Sequence, residues 1–139
     1  MTSSVPFRLG AETERKLADR ADIDGVSAPA LLERLVIEGV DQLRHPGIVY
    51  RGPAHARRAA LSAGPDVWEV IARLRELDGS EEERIVVLCA ESALHPRLIR
   101  AAVDYAAEHG EEIESRIDRN RRVAENSRRA VQERARLFV

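Results

Sequence analysis

The chain has 139 residues, with 22 basic and 24 acidic side chains and a net charge of −2. That length suits one ordinary domain or two very small ones, with enough core to fold without a disulfide or metal staple. The single cysteine, Cys89, excludes an internal disulfide framework. No apolar run approaches the ~20 residues of a membrane span. Met1-Thr2-Ser3-Ser4 has neither the basic nor the apolar region of a signal peptide, so a cytoplasmic protein without membrane contact is expected.

The charge is unevenly spread. Residues 1–44 sum to −2, residues 45–65 to +3, residues 66–110 to −5 and residues 111–139 to +2. Positive charge therefore gathers in a middle strip and in the tail. Lys16 is the one lysine among the basic residues. Arginine suits bidentate binding of phosphate and carboxylate, although a GC-rich genome produces the same bias.

Val5-Pro6-Phe7-Arg8-Leu9 alternates, with Val5, Phe7 and Leu9 on one face. Pro6 lacks an N–H, so the segment fits an edge strand or a two-stranded ribbon. Residues 11–23 predict a helix with a weak stripe of Leu17 and Ala21, flanked by Ala18 and ended at Asp24-Gly25. Ser27 then caps a stronger helix, with Pro29 tolerated in its first turn. Leu32, Leu35, Val36, Gly39, Val40 and Leu43 recur at three and four residues, which predicts a core face. The helix stops at His45-Pro46-Gly47.

Ile48-Val49-Tyr50 and the Gly52-Pro53 turn predict a small hairpin with an arginine-lined loop, in which Arg51, Arg57 and Arg58 form a basic wing. Asp66-Val67-Trp68-Glu69 resembles a capping box and opens a helix with Val67, Val70, Ile71 and Leu74 inward. Trp68 is expected to anchor the core. Ser80-Glu81-Glu82-Glu83 opens the next helix, with Ile85, Leu88 and Cys89 on one face, interrupted by Ser92. The Ile85–Leu88 run also suits a strand. His95-Pro96 starts a third helix carrying Leu98, Ala102, Tyr105 and Ala106, and Gly110 fits its C-terminal cap. Residues 111–139 contain no Gly or Pro and predict a helix. Its stripe of Ile113, Ile117, Ala124, Val131 and Phe138 is broken by Asn120, Ser127 and Arg134, so the tail is expected to need a partner to order it.

Signs of catalysis are thin. His45, His55, His95 and His109 lack metal-ligand spacing, and Glu91 with His95 reads as a solvated pair. There is no Gly-rich phosphate loop and no nucleophile elbow. Cys89, among Val87, Leu88 and Ala90, reads as an inert buried thiol. The expectation is a non-enzyme without metal or cofactor. Binding is better supported. A strand and two helices in ~40 residues cannot close a core alone, but two copies can pair their strands and interlock their helices. The paired ribbon is narrow enough for a DNA major groove.

Val5-Pro6-Phe7-Arg8-Leu9, the Gly25-Val26-Ser27 turn and Ala30-Leu31-Leu32-Glu33-Arg34 resemble a ribbon-helix-helix domain of the CopG/Arc type. The resemblance implies that Ser4, Pro6 and Arg8 face the bases and that the helix start at Ser27 takes a phosphate. His45-Pro46-Gly47-Ile48-Val49-Tyr50-Arg51, Gly64-Pro65-Asp66-Val67-Trp68-Glu69-Val70-Ile71, Ala101-Ala102-Val103-Asp104-Tyr105-Ala106 and Glu111-Glu112-Ile113-Glu114-Ser115-Arg116-Ile117 are similar to a bacterial family of VapB-like antitoxins. That family has a small three-helix, helix-turn-helix-like core and is usually paired with a PIN-like toxin ribonuclease. A nuclease of that type clusters carboxylates around metal, and an arginine-rich helix can insert guanidinium groups among them. Arg121, Arg122, Arg128, Arg129, Arg134 and Arg136 are the candidates, with Phe138 as an apolar anchor. Pairing of Glu125 with Arg129 and of Asp118 with Arg122 along a solvated helix is the plainer alternative.

The resulting expectation is a mainly α homodimer, or a higher even oligomer. A ribbon-helix-helix unit at 1–44 precedes a basic hairpin linker at 45–65, a three-helix domain at 66–110 and an arginine-rich helix at 111–139. It would bind its own double-stranded operator as an autoregulating antitoxin. His95, Arg97 and Arg100 open the third helix of the 66–110 unit and form a second candidate DNA surface, ranked below the ribbon because Glu81, Glu82 and Glu83 adjoin it. The alternatives are a stand-alone ribbon-helix-helix regulator and a dimeric interaction protein that does not bind DNA.

Overall fold

The computed structural model describes residues 6–139. It is mainly helical, in the order α1 (Ala11–Asp24), α2 (Ala28–Arg44), β1 (Ile48–Arg51), β2 (Arg58–Leu61), α3 (Val67–Glu76), α4 (Glu81–Ser92), α5 (Pro96–Glu108) and α6 (Gly110–Arg136). No helix among the described residues is long and apolar enough to cross a membrane. Among the described residues Pro6–Gly10 carries no strand pairing, while Ser4 and Val5 lie outside the described residues.

Local signals set most boundaries. Gly25 takes φ +68° and closes α1 through its N–H to Asp22 O and that of Val26 to Ala21 O. Ser27 caps α2 by accepting from Ala30 N at 3.2 Å, and Ser80 caps α4 by accepting from Glu83 N at 3.2 Å. At the start of α3 the Asp66 N–H donates to Glu69 at 2.9 Å. The Ile85–Leu88 run is helical, because it lies inside a segment opened by the Ser80 cap. Gly110 differs from expectation. The non-helical backbone sits at His109 (φ −121°, ψ 43°), and Gly110 opens α6 instead of capping α5.

β1 and β2 form an antiparallel hairpin with Ile48 opposite Leu61 and Arg51 opposite Arg58. Its turn needs Gly52, at φ +104°, where an added Cβ would stand 2.3 Å from Ala56 O. The hairpin lies against α3 and α5 and closes one core with the helices. Ile48, Leu61, Val67, Val70, Ile85, Leu88, Ile99, Ala102, Tyr105, Ile113 and Ile117 are buried together, with Trp68 and Cys89 half-buried against them.

No residue of α1 or α2 belongs to that core. The expected α2 face is inverted: Leu31 and Glu38 turn inward, while Leu35, Val36, Val40 and Leu43 are exposed and Leu32 is half-buried. The reason is polar. Glu38, only 7 % exposed, meets Arg57 of the hairpin, and a buried carboxylate must keep its partner. That pairing turns the apolar stripe away from the rest of the chain. In α1, Ala21 is buried and Leu17 half-buried, but Ala18 is exposed.

Among the ion pairs that tie helix to helix are Arg44–Glu108, Arg73–Glu91, Arg75–Glu114 and Arg100–Glu82. In each, the hydrogen bond from the guanidinium holds the glutamate below its ordinary value of 4.5. A depressed folded-state pKa adds stability that is complete above 4.5 and is lost as pH falls through and below that value. Thermal unfolding followed from about pH 7 to 3 should therefore show a level Tm that declines only below the glutamate range. The pairs are exposed, so the decline is modest and shrinks in high salt. A Tm that rises on acidification contradicts this account.

Candidate nucleic-acid and partner interface

The expected site residues separate into groups with different surroundings. Pro6, Phe7 and Arg8 are exposed ahead of α1, and among the described residues Arg8 forms no ion pair. A groove beside this segment is lined by Phe7, Leu9, Leu17, Ala18, Pro29 and Leu32, so apolar side chains of α1 and α2 face solvent there. At the start of α2 the Ser27 hydroxyl is committed to Ala30 N, and Pro29 has no N–H to give. Fewer donors therefore remain for a phosphate than a bare helix start offers.

The hairpin arginines do not form a free basic wing. Arg51 donates to Gly64 O at 2.9 Å and Leu61 O at 2.7 Å. Arg57 grips Glu38 at 2.9 and 2.5 Å and donates to Gly52 O at 2.6 Å. The Glu38 hydrogen bond, above all else, raises the Arg57 pKa. Arg58 holds Asp66 at 2.7 Å. All three close the fold by joining the hairpin to α2, to the loop before α3 or to itself. Arg34 stands beside Glu38 at 3.8 Å, with its Nε buried and without a hydrogen-bond partner among the described residues.

The start of α5 is similarly occupied. His95 Nδ1 accepts from Arg97 N at 3.0 Å, capping the helix, and Arg100 pairs with Glu82 at 2.9 Å. Arg97 is exposed. Glu81, Glu82 and Glu83 in the first turn of α4 keep this surface mixed in charge.

The tail has the opposite character. Ile113 and Ile117 dock α6 onto the core, and every residue from Asp118 onward is exposed. The helix runs on to Arg136, so its free part projects roughly 28 Å at 1.5 Å per residue. Arg122, Arg129 and Arg136 recur two helical turns apart, with Arg121 and Arg128 on the adjoining line. Arg134 lies off this stripe. Ala124, Val131 and Phe138 continue the line of Ile113 and Ile117 into solvent. Among the described residues the part of α6 beyond Ile117 closes one ion pair, Arg136–Glu133 at 3.1 Å, and not the Glu125–Arg129 or Asp118–Arg122 pairs of the plainer alternative. Residues 118–139 hold seven arginines against three acids, leaving +4.

A polar network escaped the sequence reading. The two tyrosines of the chain meet, with Tyr50 Oη 2.8 Å from Tyr105 Oη. Tyr50 donates to Asp41 at 2.9 Å and Tyr105 to Glu112 at 2.8 Å. Burial pushes both phenols well above their ordinary range, so both stay protonated and donate. The network joins α2, β1, α5 and α6 beside a cleft of about 560 Å³. Next to it, His45 Nε2 meets Glu108 Oε2 at 2.9 Å, and His109 stacks on Tyr105 with centroids 4.0 Å apart. Only the reading of Tyr105 as inward-facing pointed here; the Tyr50–Tyr105 and His45–Glu108 contacts that bring the elements together join residues 55 and 63 apart along the chain. Comparison with family models, with curated proteins and with solved structures returns no match.

Proposed function

We propose that this chain is a dimeric, cytoplasmic DNA-binding regulator, the autoregulating antitoxin of a toxin–antitoxin pair. The observation that carries the reading is the apolar face of α2, whose Leu35, Val36, Val40 and Leu43 are exposed in the single chain and whose Leu32 lines one groove with Phe7 and Leu9. Apolar residues at helical spacing in solvent mark an interface. A second copy would cover them and set two N-terminal segments side by side as a ribbon. Ser4, Pro6 and Arg8 would then face the major groove, with Arg8 as the charged reader. The N-terminus of α2 at Ser27 would approach a phosphate through its remaining donors.

The projecting arginine stripe of α6 supports the second half of the reading. A partner with a carboxylate-rich metal site would receive guanidinium groups from Arg121, Arg122, Arg128, Arg129 or Arg136, and Phe138 would add an apolar contact. A PIN-like ribonuclease has that chemistry.

The test is fluorescence anisotropy on DNA from upstream of the protein's own gene, against a scrambled duplex and across a salt series. Specific binding that weakens steeply with salt is expected. Arg8→Ala should weaken it by ~1–3 kcal/mol, or about 5- to 150-fold, while non-specific binding changes little. Equal, weak binding to both duplexes, unaffected by Arg8→Ala, would overturn the regulator and favour a dimeric interaction protein.

A further inference from the structure

We propose that His45, Glu108 and His109 form a binding site for a divalent transition cation of the zinc type. One ring nitrogen of each histidine and a carboxylate oxygen of Glu108 lie within 4.8 Å of one another. The three residues come from two places in the fold: His45 ends α2, and Glu108 and His109 form the junction of α5 with α6. Two imidazoles with one carboxylate is a donor set suited to zinc and its neighbours, and unlike the all-oxygen shells of magnesium and calcium.

The surroundings hold the donors ready. His45 is only 6 % exposed and directs Nε2 at Glu108 Oε2, 2.9 Å away. The other carboxylate oxygen, Oε1, accepts from Arg44 at 3.0 and 3.2 Å. An ion can therefore take Oε2 while Arg44 keeps Oε1, the outer hydrogen bond that a ligating carboxylate commonly has. Arg44 also reaches Oε2 at 2.9 Å, but its side chain is 65 % exposed and free to swing. His109 stacks on Tyr105, and its Nδ1 lies 3.9 Å from Glu112. His45 meets the same tyrosine edge-on at 5.4 Å. Ligands on a tetrahedral ion with bonds of 2.0–2.1 Å stand about 3.3 Å apart. The trio must close by an ångström or so, which the half-exposed Glu108 and His109 side chains permit. Three protein ligands leave the remaining position to water. The ion would clamp the end of α2 to the α5–α6 junction and fix the N-terminal helices against the body.

The experiment uses the full chain, stripped with a chelator and titrated with zinc chloride by calorimetry, with native mass spectrometry counting ions. One zinc per chain is expected, with a raised Tm, and magnesium should do neither. Cobalt in place of zinc should show the strong visible bands of a four-coordinate site. His109→Ala and Glu108→Gln should each weaken zinc by about tenfold or more, and His55→Ala with His95→Ala should not. His45→Ala removes a buried side chain and can fail by unfolding, so the half-exposed His109 decides. Absence of zinc binding, or undiminished binding by folded His109→Ala, would overturn the site and leave the trio as a hydrogen-bonded cluster. Neither result depends on DNA or on a partner protein.

Discussion

Aspartate at both Val36 and Val40 is expected to leave the single chain folded while abolishing the dimer and specific DNA binding with it. The two valines are 55 % and 57 % exposed on α2 and are not members of the buried core. Surface substitutions of this kind change single-chain stability by about 0.5 kcal/mol or less. In the proposed dimer the same positions are covered, and two copies would bring four carboxylates into an apolar seam. An unpaired charge held out of water costs several kcal/mol, and association has no surplus of that size. Light scattering should give a dimeric mass for the wild type and a monomeric mass for the variant, with equal helicity by circular dichroism. Anisotropy should then show loss of specific binding far beyond the Arg8→Ala effect, because both half-ribbons are lost together. A variant that remains dimeric, or a wild type already monomeric at micromolar concentration, sinks the interface.

The α2 face also shows what a hydrophobic stripe can and cannot tell. Leu32, Leu35, Val36, Gly39, Val40 and Leu43 state that one side of the helix avoids water; they do not say what covers it. In the structure the covering is not this chain's own core, because Leu31 and Glu38 occupy the inward side. Glu38 attracts no notice in the sequence, where a charged residue among apolar neighbours reads as a solvated position. Its burial depends on Arg57, nineteen residues away. The caps behave differently. Ser27, Asp66, Ser80 and His95 act on N–H groups or side chains within three residues, so residue type and spacing suffice to read them. Gly110 misleads because a glycine after a helix normally takes the left-handed turn, whereas here His109 supplies the break and α6 begins at once.

The same division runs through the functional residues. Exposure of the arginine stripe on α6 follows from its weak apolar periodicity and is legible. The engagement of Arg51, Arg57, Arg58 and Arg100 is not, since each finds its partner through the tertiary fold. Arginine runs in a hairpin look alike whether they meet phosphate or close the hairpin onto a neighbouring helix. The Tyr50–Tyr105 contact and the His45–Glu108 contact span 55 and 63 residues. No local pattern carries such a pairing, and it becomes visible only when α2, β1 and α5 are packed together.

Deleting residues 118–139 is expected to separate partner binding from folding. Every side chain removed is exposed, and the anchors Ile113 and Ile117 stay in place. Urea unfolding should therefore give a midpoint and slope close to the full chain's, since little buried surface is lost. The proposed DNA binding through the N-terminal segment should also persist. Binding to the proposed ribonuclease partner should not. If three arginines of the stripe each act as hot spots worth ~2 kcal/mol, their joint loss weakens the complex by a factor of roughly 10³ or more, allowing for non-additivity. The same deletion should release the nuclease in a co-expression assay, seen as arrested growth with the truncated chain and normal growth with the full one. Reversing Arg122, Arg129 and Arg136 to glutamate should reproduce the loss while keeping the helix length, which distinguishes charge from mere contact area. A truncated chain that still neutralises the nuclease would remove α6 from the interface. A truncated chain that unfolds would show instead that the projecting helix is held by contacts beyond Ile117, contrary to its exposure.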